Sequence, residues 1–149
     1  MAHTYDAVYE HAVFSSKSHR PFLDKSNTSI VFSFLAGALR NMDCHCLIVG
    51  GHEDHVHMLY RKPPTLRTKD MIEELKRQSS LWLRDHNFVE RNFHWQSGFG
   101  AFSISNSEVD SLSSYIGNQT DHHREATWEQ EYRDLLEKHG VDYSEQFLD

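Results

Sequence analysis

The order of the strand-like and helix-like segments most constrains the fold of this sequence. Residues 5–15 are rich in aromatic and β-branched residues, and two more strand-like runs, 44–49 and 55–60, are separated by Gly50-Gly51. Apolar residues at helical spacing predict helices over about 28–42 and 68–86. A further strand at 99–104 and two more helices complete a β-α-β-β-α-β-α-α order. This order predicts an α+β fold, a ferredoxin-like antiparallel sheet with helices packed on one face.

Local signals predict where the helices begin and end. The candidate N-terminal capping residues are Asn27, Thr68, the pair Ser105 and Glu108, and the pair Thr127 and Gln130. The third helix would extend to about His123, and Gly140 would end the fourth. The motif Phe93-His94-Trp95 is a candidate for one more short strand.

The 149 residues contain no long apolar run and no linker-like stretch, so residues 1–149 are expected to form one domain without a transmembrane helix. The N-terminus lacks a secretory signal pattern. Cys44 and Cys46 alternate on a predicted strand, where they cannot form a well-shaped disulfide and are expected to be core residues. These features together predict a cytoplasmic protein.

The formal net charge is −7, which argues against nonspecific coating of nucleic acid. The charge is uneven, because residues 92–149 carry 3 Lys or Arg against 11 Asp or Glu, whereas residues 61–91 hold the densest basic stretch. We expect the acidic C-terminal helix to lie on the surface, away from any phosphate backbone.

The motif His55-Val56-His57 lies on a predicted strand, where alternate side chains share a face. The two imidazoles are then about 6.6 Å apart along the strand, a gap that side-chain rotamers can close onto one divalent ion. Taken alone, this pair is more often two surface or hydrogen-bonded histidines. A histidine-triad phosphohydrolase also uses alternating histidines, but it needs a third one where this chain has Leu59.

The third predicted helix offers candidates to complete such a site. Tyr115, Gln119 and His122 have the spacing i, i+4 and i+7, which places them on one side of a helix. On periodicity alone, such a Tyr115 is more often an ordinary half-buried aromatic and such a Gln119 a solvated polar residue.

Four motifs in the same order carry a resemblance to a known family. They are HEDHVHML (52–59), ELKRQSSLWL (74–83), WQSGFGAFSIS (95–105) and YIGNQTDHH (115–123). Together they resemble the IS-two-hundred-like single-tyrosine transposases of the HUH superfamily of nucleases. The resemblance extends to residues 11–23 and 138–148, and so covers nearly the whole chain.

The resemblance implies that His55, His57 and Gln119 hold a divalent metal ion and that Tyr115 is the nucleophile. Mixed nitrogen and oxygen ligands suit Mg²⁺ or Mn²⁺. Such an ion acts as a Lewis acid on the cleaved phosphate, which a protonated phenol alone attacks poorly. The implied product is a 5′-phosphotyrosyl DNA intermediate with a free 3′-hydroxyl, so strand joining needs no ATP.

The resemblance also implies that the partner is single-stranded DNA with hairpins near the ends of the mobile element. Basic residues would then contact phosphates, with Lys76 the first choice among Lys17, Arg20, Arg61, Lys62, Lys76 and Arg77. A homodimer is expected, in which the tyrosine helix can complete the partner's histidine site. Trp95, Phe99 and Phe102 would stack on bases or, as we rather expect, lie in the core.

Two alternatives stay open from the sequence. One is a domesticated or inactive transposase that only binds DNA hairpins, and the other is a metal-binding fold without nuclease activity. Covalent capture of DNA separates the enzyme from both.

Overall fold

The strands pair in the predicted order. The computed structural model describes residues 3–24, 26–119 and 126–148. Within these residues the sheet contains β1 (Tyr9–Ser15), β2 (His45–Gly51), β3 (His55–Arg61) and β4 (Gly100–Ile104). Their order across the sheet is β2-β3-β1-β4, and every neighbouring pair is antiparallel. The first and third strands are therefore central. This is the arrangement of a ferredoxin-like sheet.

Two helices cover one face of the sheet, as predicted. They are α1 (Thr28–Asn41) and α2 (Thr68–Asp85), and both begin and end close to the predicted positions. Their buried apolar side chains meet those of alternate residues on the central strands, namely Ala12, Phe14, Val56, Met58 and Tyr60. Among the described residues, no helix combines the length and the apolar character needed to cross a membrane.

Two shorter helices, α3 (Val109–Gly117) and α4 (Trp128–Lys138), cover the opposite face. There Ile116 of α3 packs with Leu59 and Ile104 in one cluster. Trp128 and Tyr132 of α4 belong to a second cluster on the same face. The side chains of His55 and His57 on β3 point toward this face.

Several local predictions were wrong at the level of single residues. Gly50 and Gly51 belong to β2, and the connection to β3 is formed by residues 52–54. Residues 93–95 form only one isolated bridge, between Trp95 and Ser16. The third helix ends at Gly117 rather than near His123, and residues 120–125 lie outside the described residues.

The capping predictions had mixed outcomes. Thr127 accepts a hydrogen bond from the backbone N–H of Gln130 at 3.2 Å, and the last helix ends just before Gly140, which has φ of 67°. Ser105 instead donates its hydroxyl to the carboxylate of Glu108, and Asn27 makes no capping hydrogen bond.

Thr68 is the first residue of its helix rather than the cap. Its hydroxyl donates to the carboxylate of Glu10 on β1 at 2.8 Å, which is a contact between distant segments that the local sequence does not encode. Tertiary contact has overridden the local capping preference here.

The predicted core residues fall where expected. Trp95 and Phe102 are buried, and Phe99 is partly buried against the main cluster, which favours the core over base stacking for all three. Cys44 is buried, Cys46 is partly buried, and neither forms a disulfide.

Gly50 is the point where α3 meets the sheet. A Cβ atom at this position would lie 2.8 Å from both the Cγ2 and the carbonyl oxygen of Ile116. We therefore expect Gly50→Ala to destabilise the fold by about 1–3 kcal/mol, since α3 must move away from β2. Chemical denaturation measures this change.

Gly37 on α1 provides the matched control. A Cβ atom there meets nothing within 4 Å, so Gly37→Ala is expected to stabilise the protein by roughly 0.5–1 kcal/mol. If Gly50→Ala is as stable as the unmutated protein, the close contact between Gly50 of β2 and Ile116 of α3 is contradicted.

Candidate active site

His55 and His57 lie on the central strand β3 and are fully buried beneath α3 and α4. The alternation of a strand places both imidazoles on this face and Val56 in the core on the other, as predicted. The two ring centroids are 5.1 Å apart. Because the pair lies on a central strand, hydrogen-bonded on both sides, its position is rigid.

Each of these histidines has a partner at its Nδ1 atom. His55 Nδ1 lies 2.7 Å from Oδ1 of Asp54, and His57 Nδ1 lies 2.8 Å from Nε2 of His11 on β1. Burial lowers the pKa of His11 to about 2, so His11 is neutral and able to accept a hydrogen bond. With the Nδ1–H groups engaged in this way, both Nε2 atoms are directed toward the same space.

Glu131 of α4 fills the centre of that space. Its Oε1 atom lies 3.3 Å from Nε2 of His55 and 3.2 Å from Nε2 of His57, and its side chain is 2% exposed. Glu131 was not among the residues predicted for the site, because the acidic C-terminal helix was expected to lie on the surface, whereas one face of it is buried against the sheet. A signal was available, because Glu131 interrupts the apolar face formed by Trp128, Tyr132 and Leu135 at helical spacing.

Tyr115 on α3 and Gln119, two residues after the end of α3, contact the carboxylate of Glu131. The Oε1 atom of Gln119 lies 2.9 Å from Nε2 of His55, and its Nε2 donates to Oε2 of Glu131 at 2.9 Å. The Tyr115 hydroxyl donates a hydrogen bond to the same Oε2 atom. The structure therefore brings together all four residues that were predicted for the site, within one chain.

Burial and the Glu131 carboxylate control the charge of this cluster. Burial acts to lower the pKa of His55, but its contacts with Asp54 and Glu131 outweigh this and raise the pKa to about 9. Burial and the neighbouring Glu131 raise the pKa of Tyr115 well above its ordinary value. Tyr115 is therefore protonated at neutral pH. His55 carries a positive charge there, between the carboxylates of Asp54 and Glu131.

The donor atoms suit a divalent metal ion. The ligand atoms of His55, His57 and Glu131 all lie within 4.8 Å of one another, and all three residues are buried. Neighbouring ligands of a small octahedral ion, at ~2.1 Å from it, are about 3 Å apart, close to the separations of Glu131 Oε1 from both imidazoles. Metal-binding histidines usually donate their second N–H group, as the contacts with Asp54 and His11 allow here. His52, in the loop before β3, is not part of this group.

A cavity of about 370 Å³ between α3 and α4 opens onto Tyr115 and Glu131. His11, Lys138 and His139 line it, together with the acidic Glu108 and Asp134. Tyr115 therefore borders a cavity on the outer side of the sheet.

The predicted DNA-contacting cations fall into two groups. The Lys76 ammonium donates to the carbonyl oxygens of Gln96 and Gly98 at 2.8 and 2.6 Å, Lys62 contacts Glu10, and Arg77 pairs with Glu74. Lys76 and Lys62 are half-buried, whereas the Arg77–Glu74 pair lies on the exposed surface of α2. Lys17, Arg20 and Arg61 are exposed, and no carboxylate among the described residues pairs with them.

Solved structures share this fold. A candidate transposase from Deinococcus radiodurans R1 matches with a TM-score of 0.62 at 16% identity, covering 80% of this chain and 96% of that one. A REP-associated tyrosine transposase bound to a REP hairpin matches with a TM-score of 0.60 at 15% identity, covering 83% and 73%. No protein among the curated ones matches the sequence significantly.

The sequence itself matches the protein family described as "Transposase IS200 like" over residues 4–119. That range includes the histidine pair, Tyr115 and Gln119, whereas α4 and Glu131 lie beyond it. With more than half of its length matched, the chain belongs to the IS200-like transposase family.

Proposed function

We propose that this protein is a DNA transposase that cleaves and rejoins single-stranded DNA through a covalent bond to Tyr115. One observation carries the proposal. Tyr115 donates to a carboxylate that also contacts both members of the buried pair His55 and His57, with Gln119 bonded to the same group. A nucleophile, a candidate proton acceptor and a candidate metal group thus lie side by side.

His55 and His57 are proposed to hold Mg²⁺ or Mn²⁺, with oxygen atoms of Gln119 and Glu131 as further ligands. When bound, such an ion supplies Lewis-acid stabilisation of the charge that develops on the phosphate. Asp54 and His11 keep the two imidazoles oriented for this task.

Tyr115 is proposed to attack the phosphorus of the cleaved phosphodiester. The bond from the phenolic oxygen to phosphorus forms while the bond to the 3′-oxygen breaks, which leaves a 5′-phosphotyrosine and a 3′-hydroxyl. The Oε2 atom of Glu131 already accepts the hydrogen bond from Tyr115, so it is placed to take the phenolic proton. Attack by a 3′-hydroxyl on the phosphotyrosine reverses the step and joins the strands.

Single-stranded DNA with hairpins is the proposed substrate. The cavity beside Tyr115 gives a phosphate access to the phenol, with Lys138 and His139 on its wall. The exposed cations Lys17, Arg20 and Arg61 are the proposed phosphate contacts outside the cavity. The hairpin bound to the REP-associated relative supports this choice of substrate.

Capture on a denaturing gel tests the proposal. Purified protein is mixed with single-stranded DNA from the flanks of its gene, with Mn²⁺ or with EDTA. A shifted band that needs the metal supports the enzyme. Tight hairpin binding without any shifted band, across several flanking sequences, would overturn the proposed cleavage and favour a domesticated protein that only binds DNA.

The protein is proposed to act as a homodimer, and its same-chain site leads to a prediction about that dimer. Tyr115→Phe and His57→Ala each remove a different half of the site. Tyr115 and His57 belong to one site in each chain, and an exchanged α3 gains no buried contact over the closed form. Mixing the two variants is therefore expected to restore under about 5% of the capture activity.

Analytical ultracentrifugation of the mixture shows whether mixed dimers are present during the assay. Substantial recovery of capture by mixed dimers would show instead that α3 completes the site of the partner.

A further inference from the structure

A second and larger cavity, of about 780 Å³, lies at the end of β1. Its walls come from the segment 16–22 and from the segment 87–94 that follows α2, and we call it the Arg20 pocket. The volume falls within the range of about 300–1,000 Å³ that is typical of small-molecule sites. It is separate from the cavity that opens onto Tyr115.

Backbone hydrogen bonds tie the Arg20 pocket to the histidine pair. The N–H of Ser16 donates to the carbonyl of Asp54 at 2.9 Å, and that of Phe22 donates to the carbonyl of Glu53 at 2.9 Å. The side chain of Asp54 in turn contacts His55. The pocket therefore lies at the same end of the sheet as His55, where Ser15 of β1 pairs with His55 of β3, although its aromatic residues pack on the α1/α2 face.

The side chains lining the pocket combine cations with an aromatic surface. Lys17 and Arg20 are exposed there, and Glu90 is the one acidic lining residue among those described. Phe22 is half-buried, and its ring forms a cluster with the rings of Phe93 and Trp95, with centroid distances of 4.9 Å to each. Positive charge beside an aromatic ring is the combination that binds single-stranded nucleic acid.

Ser18 in the pocket wall has an unfavourable backbone conformation, with φ of 59°. Such conformations persist where surrounding structure enforces them, and they concentrate at ligand sites. Asn87, with φ of 58°, instead ends α2 in a Schellman motif, in which the N–H groups of Phe88 and Asn87 donate to the carbonyls of Leu83 and Arg84. The backbone hydrogen bond from Lys17 to His94, at 2.8 Å, joins the two walls of the pocket.

We propose that the Arg20 pocket binds one unpaired nucleotide of the DNA strand, next to the phosphate that Tyr115 attacks. The base stacks against Phe22, and the adjoining phosphates lie on Lys17 and Arg20. The pocket thereby sets which phosphate lies over the histidine pair. This inference rests on the proposed function, because it takes the DNA strand as the ligand.

Photochemical crosslinking locates the bound nucleotide. The protein carries Tyr115→Phe to prevent cleavage, and the probes are single-stranded oligonucleotides from the gene flanks with 5-bromodeoxyuridine at one unpaired position at a time. We expect one position to crosslink to peptides within 16–22 or 87–94. Crosslinks confined to α3 and α4 would overturn the proposal.

The salt dependence of binding tests the two cations in the same protein. For single strands, each phosphate contact contributes about 0.7 to the slope of log affinity against log salt. Lys17→Ala with Arg20→Ala is expected to reduce that slope by about 1.4. The matched control is Arg67→Ala with Lys69→Ala, which removes two exposed cations that pair with carboxylates on α2.

An equal slope in the pocket variant and in the control would contradict the proposed phosphate contacts. Covalent capture by the protein with an intact Tyr115 is scored separately. Capture without crosslinks in the pocket overturns this inference alone, and crosslinks in the pocket without capture overturn the proposed cleavage alone.

Discussion

Tyr115→Phe is expected to abolish covalent capture of DNA, with a loss of at least about 10³-fold, while hairpin binding changes little. The substitution removes one oxygen atom and keeps the ring, which packs at right angles to His57 with a centroid distance of 5.8 Å. The substitution removes the proposed nucleophile, whereas the shape of α3 and its packing against Gly50 are retained. A denaturing gel measures capture, and fluorescence anisotropy measures binding in the same samples.

Tyr143→Phe is the matched control for this change. Its hydroxyl contacts the exposed Glu137, away from the histidine pair, so capture should match that of the unmutated protein. Persistent adduct in Tyr115→Phe, at the level of this control, would assign the nucleophile to another residue.

The second large effect is expected from Glu131→Gln, which should weaken Mn²⁺ binding by about 10–100-fold or more. The carboxylate of Glu131 lies between both imidazoles, and no other acid belongs to the candidate ligand group among the described residues. An amide of the same shape keeps the packing but removes the negative charge that attracts a cation. Isothermal titration calorimetry with Mn²⁺ measures the change.

Two further variants make this result decisive. Glu129→Gln changes an exposed acid on the same helix and should leave Mn²⁺ affinity unaltered. Gln119→Ala is expected to weaken binding less than Glu131→Gln, since the amide is neutral. If Gln119→Ala has the larger effect, Gln119 is the principal oxygen ligand and Glu131 is chiefly the partner of Tyr115.

The sheet and the first half of the site could be predicted because they depend on short-range periodicity. Alternation on a strand placed His55 and His57 on one face, and the four-residue spacing of Tyr115 and Gln119 kept them close even though α3 ends between them. Neither pattern depends on where distant segments lie.

Glu131 and Lys76 show what short-range patterns leave open. Glu131 is one of many acidic residues in its region, and only the packing of α4 against the sheet makes it a central, buried group. Lys76 belongs to a basic stretch, but the fold supplies two carbonyl oxygens for its ammonium and places it over the ring of Phe14 at 5.0 Å. Charge in a sequence does not reveal which partner the fold provides.

The contact between Gly50 and Ile116 bears on how two copies of this chain could exchange parts. The space left by the missing side chain would accept Ile116 of a second copy, so exchange of α3 would repeat this contact without adding a new one to offset the association of two chains. The balance between closed and exchanged forms then depends on the short connection from β4 to α3, residues 105–108, and on protein concentration. Lengthening or stiffening this connection would change the balance between these forms without altering His55, His57, Tyr115 or Glu131.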